Sequence, residues 1–161
     1  MVTTTERVTA NTAAAFLAAL LLLPVAPQAS EAWLVGNIAS WHSERYLSDG
    51  SHANQVNPGL GGELRFDSLS LMAGAYRNSY ERASVYALAG WQPLTYGYLR
   101  AGLFAGAATG YREECDASVC AVGGVLLSLQ GERFGANLLA IPKRAGKNGT
   151  VVGFQLKWRA L

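Results

Sequence analysis

Histidine, cysteine and charge are all scarce in this 161-residue chain. Its two histidines, His42 and His52, offer few metal ligands, so neither a metal nor a cofactor is expected. Charged residues make up 15% of the chain and leave a formal net charge of +2, which is no electrostatic footprint for nucleic acid. Beyond the N-terminal region, no uninterrupted apolar run approaches the ~20 residues of a membrane-spanning helix.

The N-terminal region is the exception. Residues 11–27 are almost wholly apolar, with Arg7 before them and the small residues Ser30 and Ala32 after them. The apolar core is short for a membrane span, and the small residues suit cleavage after Ala32. Residues 1–32 are therefore read as a signal peptide, leaving residues 33–161 as one domain. Export bears on Cys115 and Cys120, which enclose Asp-Ala-Ser-Val. An oxidising compartment permits a local disulfide there. Free thiols and a metal share remain as alternatives.

What is abundant is glycine, 18 residues dispersed through the chain rather than gathered in a linker. With tyrosine and tryptophan spread over short alternating segments, this points to an all-β protein in which backbones or ligands approach closely. Eight strand-like segments are predicted, roughly 33–46, 57–66, 69–79, 84–93, 98–111, 120–130, 134–142 and 150–159. Short turns at one end and mostly longer polar loops at the other, with an even strand number, predict an eight-stranded antiparallel up-and-down transmembrane barrel.

Side-chain alternation gives its facing. Val152, Phe154, Leu156 and Trp158 share one face of the last strand, and Gln155, Lys157 and Arg159 the other. Apolar outside and polar inside is inverted relative to a soluble barrel of lipocalin type. In the middle strands the inward face is small and apolar toward the looped end: Tyr86, Leu88 and Gly90 on one strand, Phe104, Gly106 and Ala108 on the next. That half predicts a dry tube suited to an acyl chain; the alternative is that Tyr76, Tyr86 and Phe104 fill it. His42 and the Asn78-Ser79 pair both fall at the looped end. A histidine within reach of a serine hydroxyl is the minimal unit for acyl chemistry, with a third group to orient the imidazole.

Several motifs in order, namely Trp41-His42, Asn54 to Gly62 with Pro58, Tyr76 to Tyr80, Ala89-Gly90-Trp91, Ala105 to Thr109, Ile141-Pro142 and Asn148-Gly149, resemble the lipid A palmitoyltransferase (PagP) family. The resemblance runs from Trp41 to Trp158. It implies a monomeric barrel in the bacterial outer membrane that moves an acyl chain from phospholipid to lipid A. The family's catalytic histidine and serine fall on His42 and Ser79, and its catalytic aspartate falls on Asn78. Gly90 falls on the glycine that floors the acyl pocket, with Leu88, Tyr86 and Gly106 around it; Pro58 and Pro142 match prolines that open lateral gates. The rival expectations are a non-catalytic barrel that binds lipid or stabilises the envelope, and a lipid A deacylase.

Overall fold

A computed structural model describes residues 30–142 and 149–160. The predicted signal peptide up to residue 29, and residues 143–148 of the last connection, lie outside the described residues. Eight antiparallel strands form one closed barrel in sequence order. They are β1 (Glu31–His42), β2 (Val56–Phe66), β3 (Leu69–Arg77), β4 (Ala83–Tyr96), β5 (Leu99–Thr109), β6 (Val119–Gln130), β7 (Phe134–Ile141) and β8 (Val151–Arg159). Pairing of β1 with both β2 and β8 closes the sheet, so every strand has two neighbours. Glu31 and Ala32 already pair with Arg65 and Leu64, so the strand begins two residues ahead of the expected boundary at residue 33.

The alternation matches the expectation toward the end of β8, while Val152, Phe154 and Arg159 are half-buried. Leu156 and Trp158 are exposed on the outer surface, whereas Gln155 and Lys157 are buried inside. Leu34, Leu60, Leu71, Leu103, Leu127 and Leu138 add exposed apolar side chains around the barrel. Exposed aromatics gather near the short-turn end at Trp91, Tyr96, Tyr98, Phe134 and Trp158.

Some boundaries differ, each for a local reason. β4 continues through Pro93 to Tyr96 rather than ending there. Proline is tolerated because the β4–β5 register slips between Trp91 and Leu94, a bulge where no ladder donor is needed. β1 stops at His42, where Ser43 N–H bonds to the Thr150 carbonyl and the chain leaves the barrel wall. β5 stops at Thr109 because Gly110, at φ 83°, turns the chain. The β5–β6 connection holds one turn of helix, α1 (Arg112–Cys115), where a loop was expected. Of the alternatives left open for the cysteines, the structure has a Cys115–Cys120 disulfide, which ties the end of this turn to β6.

The interior is divided along its length. Near the short turns, Glu63, Arg65, Gln92, Ser128, Asn137, Gln155 and Lys157 are buried in one hydrogen-bonded network. Glu63 sits at its centre, accepting from Arg65 at 2.9 Å, Asn137 at 3.0 Å and Lys157 at 2.9 Å. Lys157 Nζ also lies 4.9 Å from the Trp33 ring centre, a cation–π contact. Above this network the core turns apolar: Met72 and Leu126, then Leu88, Phe104, Leu139 and Tyr86. Toward the loops Tyr76, Tyr111, Val122 and Ile141 pack on this cluster only partly buried, and there the filling loosens.

Candidate functional site

At the looped end two apolar cavities adjoin the same residues. The outer one, about 160 Å³, is lined by His42, Ser79, Tyr80, Tyr111, Glu114 and Pro142 among others. The deeper one, about 110 Å³, reaches from Ser79, Tyr76 and Tyr111 down to Leu88, Phe104 and Leu139. The Tyr76 and Tyr111 hydroxyls hydrogen-bond at 2.7 Å, and both rings line both cavities.

His42 and Ser79 meet at the top of this space. His42 is the last residue of β1 and Ser79 is the second residue beyond β3, so two neighbouring upward connections bring them together. Ser79 Oγ lies 2.9 Å from His42 Nε2, and both residues are buried. A serine that donates to Nε2 leaves the ring proton on Nδ1. Among the described residues His42 Nδ1 has no hydrogen-bond partner, although it is buried. The Ser79 carbonyl accepts from Asn54 N–H at 2.9 Å, which ties this turn to the β1–β2 connection. The pair can take up a proton from a hydroxyl, and among the described residues no group hydrogen-bonds to Nδ1 to orient the ring.

Asn78 was expected to orient the imidazole or stabilise an oxyanion. The geometry gives its amide other work. Asn78 Oδ1 accepts from the backbone N–H groups of Tyr80 and Arg82, each at 2.9 Å, and so shapes the β3–β4 turn. Asn78 Nδ2 donates to Ser84 Oγ at 2.9 Å and to the Gly110 carbonyl at 2.8 Å. Both donors and the carbonyl are occupied, so Asn78 positions Ser79 through the turn and has no spare donor for a substrate.

Gly90 faces inward, yet it lines neither described cavity. A Cβ there would lie 2.5 Å from Ser70 Oγ and 2.9 Å from Leu126 Cδ2. The Leu126–Met72 layer therefore stands between Gly90 and the cavity floor. Gly106 is likewise closed off, with Leu88 packed against it. Tyr86 and Leu88 do line the deeper cavity. Pro142 lines the outer cavity beside Ala121 and Val122. Among the described residues the β6–β7 pairing runs from Val125 to Gln130. Pro58 lies on β2 next to the irregular β1 register between Asn37 and Ala39.

Two residues of the site escaped sequence reasoning, Glu114 and Tyr111. Glu114, on α1, accepts hydrogen bonds from Ser48 Oγ at 3.0 Å and from the Tyr80 hydroxyl. Burial, then this bond to Glu114, pushes the Tyr80 phenol up. Burial also raises Tyr111, against hydrogen bonds from Tyr76 and Ser79 that favour its ionised form. The only available signal was position: both lie in a loop predicted at the same end as His42. The chain matches no known family model and no curated sequence.

Proposed function

We propose that this chain is an outer-membrane barrel that binds an acyl chain in its looped half and transfers it from phospholipid to lipid A. The observation that carries the reading is the 2.9 Å His42–Ser79 contact at the top of an apolar cavity. The apolar outer surface with aromatics near its short-turn end supports a lipid surround. The motif order that resembles the palmitoyltransferase family points to the same substrates.

In this reading the phospholipid ester sits beside Ser79. His42 removes a proton from the acceptor hydroxyl, either directly or through Ser79. The acceptor oxygen forms a bond to the ester carbonyl carbon, the bond from that carbon to the glycerol oxygen breaks, and the lysophospholipid leaves with the proton from His42. Pro142, where the resemblance puts a lateral gate, lines the outer cavity and marks the side entrance from the lipid in this reading. Mass spectrometry of lipid A from cells with and without the protein tests this. One added acyl chain, lost in His42→Ala and in Ser79→Ala, is the expected result.

A non-catalytic lipid-binding barrel is the second reading. It is favoured by a His42 Nδ1 without a hydrogen-bond partner among the described residues and by the engagement of Asn78 in its turn. Unchanged lipid A with phospholipid co-purifying on the protein would select it, and loss of a chain would select hydrolysis.

A further inference from the structure

A Ser–His unit works best when a third group answers the charge that the imidazole acquires. At this mouth the expected third group, Asn78, is neutral and fully engaged. A carboxylate is nevertheless present in the same cavity. Glu114 lines the outer cavity with His42 and Ser79, and its field reaches the imidazole. It is held there from three sides: Tyr80 and Ser48 donate to its carboxylate, and the Cys115–Cys120 disulfide fixes the helical turn that carries it. We propose that Glu114 is the carboxylate of this site, a positioning residue whose charge stabilises His42 as it takes up a proton.

Among the described residues, the other groups around His42 leave the role to Glu114. Tyr76, Tyr80 and Tyr111 line the cavity as phenols, β7 and β8 contribute the uncharged Ile141 and Val151, and Pro142 follows β7. The next acid on α1, Glu113, is paired with Arg82 at 2.7 Å. Glu44, on the connection that follows His42, is exposed. The inference rests on the proposed acyl chemistry for its purpose, but its physical content is separate: a charge acting on one ring.

The test is an NMR titration of both imidazoles in detergent micelles, with His52 as the internal reference. Glu114→Gln and Glu114→Ala are two neutral replacements, and either one that folds suffices. Each should lower the His42 midpoint by roughly half to one pH unit, the order expected when a carboxylate that shares the cavity loses its charge in an effective dielectric of about 20 with some solvent screening. Burial lowers the His42 pKa and the Glu114 charge opposes it in part; Glu114→Asp should keep most of that opposing effect, and Glu113→Gln should leave His42 unmoved. An unshifted His42 in a folded neutral variant, or an equal drop in Glu114→Asp, would overturn the assignment. Labelling of Ser79 by a fluorophosphonate separates this from the function: a shifted His42 with an inert Ser79 in every variant retains Glu114 and sinks acyl transfer. A reactive Ser79 with an unmoved His42 does the reverse.

Discussion

Asn78→Asp is the substitution that would restore the carboxylate seen in the family this chain resembles, and the structure argues that it should damage the protein. Asn78 is fully buried. Its Nδ2 donates to the Gly110 carbonyl at 2.8 Å, and a carboxylate oxygen placed there would face that carbonyl oxygen with no proton between them. Ser84 cannot compensate, because its hydroxyl proton is already given to the Thr109 carbonyl at 2.6 Å. Two donated bonds are lost and two acceptors are left facing another acceptor. At about 1–3 kcal/mol for each buried group so stranded, the cost is roughly 2–6 kcal/mol at neutral pH. Burial and the facing carbonyl both disfavour the carboxylate, so the folded-state pKa of the new acid is raised above its unfolded value of about 3.9. A group raised in the folded state contributes stability that is present below the unfolded pKa and lost as pH rises through the folded one. The deficit relative to the native protein should therefore be small near pH 4 and grow toward neutrality. Denaturant titration in micelles, followed by tryptophan fluorescence for both proteins at each pH, measures it. A variant as stable as the native chain at pH 7.5, or a deficit that shrinks with rising pH, would refute the reasoning.

Two other changes probe the interior. Glu63→Ala removes the shared acceptor of Arg65 and Lys157 and leaves two buried cations uncompensated; a loss of about 3–5 kcal/mol is expected in the same unfolding assay, and a loss under 1 kcal/mol would mean the network is wetter than its burial implies. Gly90→Ala should destabilise by about 1–3 kcal/mol through overpacking against Ser70 and Leu126, whereas an open site would show the modest gain of about 0.4–1 kcal/mol that a less flexible unfolded chain confers.

The barrel was legible because alternation is a two-residue signal, and each strand carries it alone. Val152 to Trp158 reveals its apolar outer face without reference to any other strand. Pro93 misled because proline reads as a stop unless a bulge is known to lie beneath it. The helical turn at Arg112–Cys115 is too short to display a helical period. His42 and Ser79 were legible as a pair because topology alone sends both to the looped end. The work of Asn78 was not, since it depends on Ser84 and the Gly110 carbonyl arriving at its amide across β3, β4 and β5. Gly90 shows the same limit: its inward facing follows from period two, but Leu126, which fills the space beside it, comes from β6 across the interior.

The depth of the apolar half sets what an acyl chain would encounter. A chain entering from the mouth meets the hydrogen-bonded Tyr76–Tyr111 pair between the two cavities, then stops on Leu88, Phe104 and Leu139. A cavity of about 150 Å³ accepts a ligand the size of benzene. Neither the outer space of about 160 Å³ nor the deeper one of about 110 Å³ holds a long extended chain without side-chain movement. Below the floor, Met72 and Leu126 close the passage, and beneath them the Glu63 network cannot admit a hydrocarbon without stranding buried charge. A long chain must therefore part the two tyrosines and displace the Leu88–Phe104 layer, while a short one need only pass the tyrosines. In the acyl-transfer reading, chain length is then selected first at Leu88 and Phe104, and Gly90 acts on it only through the packing of Leu126.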